Sequence, residues 1–204
     1  MKRFKIKHHW LECARKVPSE NWNERPAGTA IDLIVIHCIS LPPGEFGGEH
    51  IDRLFQNRLD STQHPYFATI CNLTVSTHIL IRRDGAITQY VPFDRRAWHA
   101  GASSFEGREN CNDYSIGIEL EGTDDTGFTD PQYASLANLI VNLIDYYPSL
   151  SRQRITGHSD IAPGRKTDPG PGFDWRRLYN LMDELAISDA QPGGSSTRDT
   201  KLRS

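Results

Sequence analysis

Short apolar runs alternate with polar, glycine-rich segments along most of the chain. The first run, 31–36, is rich in β-branched residues and predicts a buried central strand. Prolines and glycines at 42–48 mark a loop, and the apolar spacing over 49–57 predicts a short helix with one buried face. His37 directly follows the first run, so we expect it to end that strand beside the loop.

Two later segments predict further strands. The apolar runs 78–81 and 86–91 flank an Asp-Gly pair at 84–85, which predicts a β-hairpin with both turn residues at positive φ. In the strand predicted over 115–120, two isoleucines alternate with glycine and Glu119. Since successive side chains of a strand point to opposite faces, Glu119 should point away from the face that buries the isoleucines.

The longest helical pattern covers about 130–147. Thr129 and Gln132 form a capping-box pattern, and an apolar stripe at helical spacing is typical of a core-facing helix. A further helix is predicted over 174–187. Strands mixed with helices, together with one antiparallel hairpin, predict an α/β single domain whose central mixed β-sheet is flanked by α-helices.

The two ends of the chain differ from its middle. Residues 1–10 are interpreted as a loose, basic lead-in, and the domain itself as residues 11–187, which begin with an irregular arm. The segment 188–204 is rich in Ser, Gly, Asp and Thr, which predicts a disordered tail.

Composition narrows the classes of function. The chain has 204 residues and a net charge of -3, which suits one domain and argues against nucleic-acid binding, because nucleic-acid binders usually carry a basic surface. A secretory signal and a run of about 18 apolar residues are both missing, so we expect a cytoplasmic protein without membrane contact. The four cysteines are widely spaced and are expected to be free thiols. A monomer is expected.

The candidate functional residues are His37 and several residues of the loop 156–171. This loop is rich in Gly and Pro and dense in ionisable groups, including His158 and Asp168, and such a loop usually holds a site. Two imidazoles and one carboxylate form a catalytic zinc set that leaves a fourth position for water. Spacing alone leaves three competitors open: His78, His99 and Asp160.

Several long segments together resemble one known family. They are Ile36-His37, 40–48, 81–85, 97–101, 116–122 and 158–171. Across roughly residues 10–185 the chain resembles the 1,6-anhydro-N-acetylmuramyl-L-alanine amidases (AmpD type), which belong to the zinc amidase and peptidoglycan recognition protein superfamily. The resemblance implies zinc-dependent hydrolysis of the amide bond between (1,6-anhydro-)N-acetylmuramic acid and L-alanine in muropeptides, in cell-wall recycling.

The resemblance also implies roles for particular residues. His37, His158 and Asp168 match the ligands of one zinc ion per chain. Glu119 matches the general base, and Lys166 matches the residue that stabilises the transition state. The substrate implied is an anhydro-muropeptide.

Contacts to this substrate are predicted less directly. Tyr66 matches an aromatic residue that lines the site, and Trp98 with His99 is interpreted either as a wall against the sugar or peptide or as packed core. Arg82, Arg83 and Arg108 are interpreted either as charges that attract the carboxylates of the peptide or as solvated surface charges.

The chain departs from the family pattern at two positions. Family members usually carry Asn after the first ligand histidine and Arg before the Cys-Asn-Asp run, where this chain has Cys38 and Asn110. Both changes bear on fine specificity for the substrate and leave the metal ligands intact. Two alternatives stay open: a muropeptide-binding module without catalysis, and an amidase that acts on intact peptidoglycan.

Overall fold

The structure, a computed structural model, describes residues 4–190. This part of the chain forms twelve strands and five α-helices. The strands are β1 (Ile6–Lys7), β2 (Trp10–Leu11), β3 (Arg15–Lys16), β4 (Trp22–Asn23), β5 (Leu33–Ile39), β6 (Ile79–Ile81), β7 (Ile87–Gln89), β8 (Arg96–Ala97), β9 (Ser104–Phe105), β10 (Arg108–Glu109), β11 (Ser115–Glu121) and β12 (Ile155–Gly157). The helices are α1 (His50–Phe55), α2 (Pro65–Ile70), α3 (Asp130–Tyr146), α4 (His158–Ile161) and α5 (Trp175–Ala190).

Six of these strands form the central mixed sheet that the sequence predicts. Their order is β12-β5-β11-β6-β7-β3, and β12, β5, β11 and β6 are parallel to one another. The β6–β7 pair is the antiparallel hairpin. In the β5–β11 pair, His37 lies directly opposite Glu119. Two predicted functional side chains therefore start from neighbouring positions on one face of the sheet.

The opposite face of the sheet packs against α3 and α5. Ile116, Ile118 and Leu120 of β11 are fully buried there, which confirms that Glu119 points to the other side. Thr129 and Gln132 form the predicted capping box at the start of α3. The face that carries His37 and Glu119 is covered instead by α1, α2, α4 and the loops between the short strands.

Two local predictions were wrong in detail. His37 does not end its strand, because pairing with β11 continues as far as Ile39. In the hairpin turn, Gly85 has a positive φ and Asp84 does not. The Arg82 N–H donates to the Ala86 carbonyl, and the Gly85 N–H donates to the Arg82 carbonyl. The turn is therefore a three-residue loop closed by a left-handed glycine, and Asp84 keeps an ordinary backbone conformation.

The ends of the chain also differ from the prediction. The segment interpreted as a loose lead-in contains β1, which pairs with β2. Helix α5 continues to Ala190, so the predicted disordered tail begins too early. The rest of that tail, 191–204, lies outside the described residues. Between residues 4 and 190, no helix is both long and apolar enough to cross a membrane.

Hydrogen bonds of Arg25 attach the irregular arm to the segments around the central sheet. The Arg25 guanidinium donates to the carbonyl oxygens of Phe93, Asp113 and Ser115 at 2.8–3.1 Å. Beside it, the fully buried ring of His78 accepts the Gly117 N–H at Nδ1 and lies 3.0 Å from the Arg95 carbonyl at Nε2. These backbone partners hold His78 as a buried, neutral ring.

This burial predicts acid sensitivity of the metal-free protein. Burial, with a smaller effect of Arg25, lowers the pKa of His78 from 6.5 to about 3. Below pH 6.5 the unfolded chain therefore takes up a proton that the folded ring refuses, and the free energy of unfolding should fall by roughly 3 kcal/mol between pH 6.5 and 4 from this residue alone. Urea unfolding in a chelator measures the slope. The variant His78→Asn, which keeps an acceptor but cannot be protonated, should show a shallower slope; an equal slope would contradict this account.

Candidate active site

Three side chains converge at the carboxyl ends of the adjacent strands β12 and β5. His37 lies within β5, His158 follows β12 directly at the start of α4, and Asp168 lies in the loop beyond α4. The backbone N–H of Ser159 donates to the Asp168 carbonyl at 2.9 Å, which fixes that loop against α4. Among the described residues, these three form a group whose ligand atoms all lie within 4.8 Å of one another.

The distances within this group suit one metal ion. His37 Nδ1 lies 2.9 Å from His158 Nδ1 and 3.0 Å from Asp168 Oδ2, and the third separation is 3.1 Å. Ligand atoms about 2.0–2.1 Å from a tetrahedral zinc ion lie about 3.3 Å apart, so the observed triangle needs only a slight expansion. Both histidine side chains are buried.

The outer contacts of His158 explain why a cation belongs between these atoms. Its Nε2 lies 3.0 Å from the Ala100 carbonyl, so the neutral ring carries its proton on Nε2 and presents a lone pair at Nδ1. That lone pair faces the Asp168 carboxylate, and two acceptors at this distance need a proton or a metal ion between them. The donor set of two imidazoles and one carboxylate is one that zinc prefers.

The His37 ring is neutral at physiological pH. Burial lowers its pKa from 6.5 to about 4, against the opposing influence of Asp168. Only a neutral imidazole can ligate a metal, because protonation occupies the nitrogen lone pair. The environment therefore keeps His37 ready to bind.

Glu119 extends from β11 beside the group. One of its carboxylate oxygens, Oε2, is buried without a hydrogen-bond partner. Burial, and then the negative charge of Asp168, raise the pKa of Glu119 well above its usual value, while Lys166 opposes the rise. A carboxylate that binds protons more readily than usual, with a free oxygen, is suited to accept a proton and pass it on.

A groove of about 580 Å³ connects these groups to solvent. His37, Glu119, His158 and Asp168 line its polar part together with Lys166. The predicted contacts Tyr66, Trp98, His99 and Cys38 also line it. Tyr66 is 41% exposed, so its ring is available to a bound molecule. Trp98 is fixed, because its Nε1–H donates to the Asn23 side chain at 2.9 Å.

The thiol of Cys38 is held in the protonated form. Burial raises its pKa above the ordinary range, and Sγ lies 3.2 Å from Oδ1 of Asp124 as a hydrogen-bond donor. A thiol in this state is a poor nucleophile and a poor metal ligand. Cys38 is therefore an inert part of the groove wall.

Two predicted substrate contacts lie outside the groove. The Arg82 guanidinium pairs with the buried Glu121 at 2.8 Å and donates to the Gly48 carbonyl, so its charge is committed to the fold. Asn110 is exposed and adopts a left-handed φ of 58° before a short 3-10 helix. Both therefore stay predictions that the groove lining does not support, because neither residue lines the groove beside the ligand triangle.

The competing ligand candidates are also accounted for. His78 binds the backbone of Arg95 and Gly117, and Asp160 accepts hydrogen bonds from Thr156 and the Gly157 N–H, which caps the start of α4. His99 contacts His37 at Nε2, the ring nitrogen that points away from the ligand triangle.

Sequence reasoning missed part of the groove. Its apolar section lies against α1 and α2 and is lined by Leu41, Pro43, Leu54, Ile70 and Leu73. The helix α2 was not predicted, although Pro65 at its start, after His64 as an N-cap, was a usable signal. Thr123, Asp124 and Asp125, which follow β11, form a polar rim that the sequence analysis did not single out.

Comparison with known proteins places this geometry in a family. The family model described as N-acetylmuramoyl-L-alanine amidase matches residues 27–171. The 1,6-anhydro-N-acetylmuramyl-L-alanine amidase AmpD of Escherichia coli (strain K12) is 57% identical over 179 residues, which cover 88% of this chain and 97% of AmpD.

Solved structures agree with the sequence comparison. A crystal structure of a selenomethionine derivative of AmpD is 58% identical and has a TM-score of 0.85, covering 87% of this chain and 98% of the other. The amidase AmiD from E. coli, solved with the substrate anhydro-N-acetylmuramic acid-L-Ala-D-gamma-Glu-L-Lys, is 30% identical with a TM-score of 0.55, covering 78% of this chain and 60% of AmiD. On the family match, the identity and the shared fold together, this chain belongs to the N-acetylmuramoyl-L-alanine amidase family.

Proposed function

We propose that this protein hydrolyses the amide bond between (1,6-anhydro-)N-acetylmuramic acid and L-alanine in muropeptides during cell-wall recycling. The observation that carries the proposal is the triangle of His37 Nδ1, His158 Nδ1 and Asp168 Oδ2, with Glu119 beside it in a solvent-connected groove. High identity to AmpD along nearly the whole chain supports the same reaction.

The site would hold one zinc ion through His37, His158 and Asp168. When bound, zinc lowers the pKa of a water molecule to about 7 and polarises a carbonyl group. Glu119 accepts the proton of the attacking water and then delivers it to the departing alanine nitrogen, because an unprotonated amine leaves poorly. The Lys166 ammonium, which lines the same groove, offsets negative charge that develops on the carbonyl oxygen.

The groove also explains how a muropeptide would be oriented. Its polar section around Glu119 suits the scissile amide, and its apolar section with Tyr66 and Trp98 suits a sugar face or the methyl groups of the peptide. Arg82 does not contribute to this orientation in our proposal, because its charge is already paired with Glu121.

A defined anhydro-muropeptide tests the reaction. The purified protein, loaded with zinc, should release free peptide beginning with L-alanine, detected by mass spectrometry. Tight binding without released peptide would instead identify a binding module. Activity on whole sacculi far above that on the soluble fragment would identify an amidase of intact peptidoglycan. Cytoplasmic location and a monomeric state stay predictions, for which fractionation and light scattering are the measurements.

Replacing Lys166 by methionine should lower kcat by about a hundredfold to a thousandfold, the usual effect of losing one group that stabilises the oxyanion. Zinc content should not change, since Lys166 is not part of the ligand triangle. Steady-state kinetics and metal analysis measure both quantities. Lys16→Met is the matched control, because Lys16 lies on the distant strand β3 and should leave kcat unchanged. A kcat of Lys166→Met within threefold of the unmodified enzyme would remove Lys166 from the mechanism.

A further inference from the structure

The dipeptide His99–Ala100 contacts both ligand histidines from the side away from the ligand triangle. The His99 ring Nδ1 lies 2.9 Å from His37 Nε2, and the Ala100 carbonyl oxygen lies 3.0 Å from His158 Nε2. Two consecutive residues therefore contact the two ligand histidines, each at Nε2, the ring nitrogen outside the triangle. These outer contacts decide which nitrogen of each ring faces the triangle with a lone pair.

The proton positions in this segment follow from a chain of hydrogen bonds. The Ser115 hydroxyl donates its single proton to the Cys111 carbonyl at 2.5 Å, so its oxygen accepts from His99 Nε2–H at 3.1 Å. A neutral His99 then has no proton on Nδ1, and this atom must accept from His37 Nε2–H. His37 is left with its lone pair on Nδ1, which is the atom in the triangle.

Two features hold His99 in this position. The Asn112 side-chain oxygen accepts the backbone N–H groups of both His99 and Ala100, at 3.1 and 2.8 Å. Gly117 leaves room for the ring, because a Cβ atom there would lie 2.5 Å from His99 Cγ. The sheet residues beneath the ring, Ser115 and Gly117, are thus the two that bind it and make space for it.

We propose that His99 is a positioning residue rather than a substrate contact, and that with Asn112 and Ser115 it fixes both ligand imidazoles as Nε2–H tautomers. The proposal rests on the zinc function of His37 proposed above. Partners outside the ligand shell typically change metal affinity 10- to 100-fold. The two acceptors, His99 Nδ1 and the Ala100 carbonyl oxygen, are neutral. Among the three ligands and these two acceptors, Asp168 is therefore the one anion.

The decisive variants are His99→Leu and His99→Asn. Leucine removes the acceptor, and zinc affinity measured by competition with a chelator should fall about 10- to 100-fold. Asparagine places a carbonyl oxygen near the position of Nδ1, so most of that loss should be recovered. His64→Leu is the matched control, since His64 caps α2 and should leave zinc affinity unchanged.

Nitrogen NMR of the metal-free protein gives a readout independent of zinc. In the unmodified protein, Nε2 of His37 should be protonated and Nδ1 bare; in His99→Leu this preference should weaken. Asn112→Leu should likewise lower zinc affinity, while Asn112→Asp, which keeps the acceptor, should preserve most of it.

Three results would overturn the proposal. One is a proton on Nδ1 of His37 in the unmodified protein, which decides the matter even if the variants do not fold. The second is unchanged zinc affinity in a folded His99→Leu protein, and the third is equal loss in His99→Leu and His99→Asn. If instead His37→Ala itself bound zinc normally, the proposed zinc site would be wrong, and the failure would be distinguishable from that of His99.

Discussion

The variant Glu119→Gln should retain zinc and lose turnover by roughly a hundredfold to ten-thousandfold, the range that general acid–base catalysis typically contributes. Glutamine has nearly the shape of glutamate but cannot accept a proton at neutral pH. The Oε2 atom of Glu119 is buried without a hydrogen-bond partner, so the change breaks no hydrogen bond at that atom. The fold and the ligand triangle should therefore survive the change.

Kinetics on one defined anhydro-muropeptide, with metal analysis of the same sample, separate the two effects. Glu121→Gln is the matched control, because Glu121 lies two residues along on β11 but is buried against Arg82 and the Gly47 N–H. That variant should lose stability and keep its turnover per folded molecule. If Glu119→Gln lost its zinc, Glu119 would be a ligand or a support of one, and the assignment of the base would be wrong.

Replacing His158 by alanine should lower zinc affinity by more than the 10- to 100-fold expected for an outer partner, because it removes one of three protein ligands. Without the imidazole, His37 Nδ1 and Asp168 Oδ2 still lie 3.0 Å apart, but they offer only two arms to the metal. Activity should fall in parallel with the bound metal.

Chelator competition and elemental analysis measure this loss. His64→Ala changes a histidine that caps α2 and does not line the groove, so this variant should bind zinc normally. Acid should also release zinc from the unmodified protein, since protons compete for the same nitrogen atoms. Full zinc occupancy in His158→Ala at micromolar protein would contradict the ligand assignment.

The sheet and its helices were predictable because their patterns are local. The β-branched run before His37, the alternation around Glu119 and the capping box at Thr129 each describe an element that the structure contains. The bounds were less predictable, because tertiary pairing decides them. The strand that carries His37 continues to Ile39 only because β11 provides partners on one side.

The site was predictable in part, and mainly through resemblance. Residue type and spacing did not distinguish the three ligand residues from His78, His99 and Asp160. Which side chains meet depends on contacts between residues more than 100 positions apart in the chain. The ion pair of Arg82 with Glu121 could not be predicted, because the two side chains are close only in the folded sheet. The Ala100 carbonyl, a contact of His158, has no side-chain signature that sequence reasoning can detect.

The strand order β12-β5-β11 determines when, during synthesis of the chain, the metal site can form. His37 and Asp168 are separated by 131 residues, and β12, which brings His158 beside them, is the last strand of the sheet. A ribosome that has released only residues 1–154 has supplied one of the three proposed ligands. Contacts of such long range also close slowly, since the intervening loop must first be ordered. Zinc capture should therefore follow synthesis of nearly the whole domain, and truncated chains should not sequester the metal.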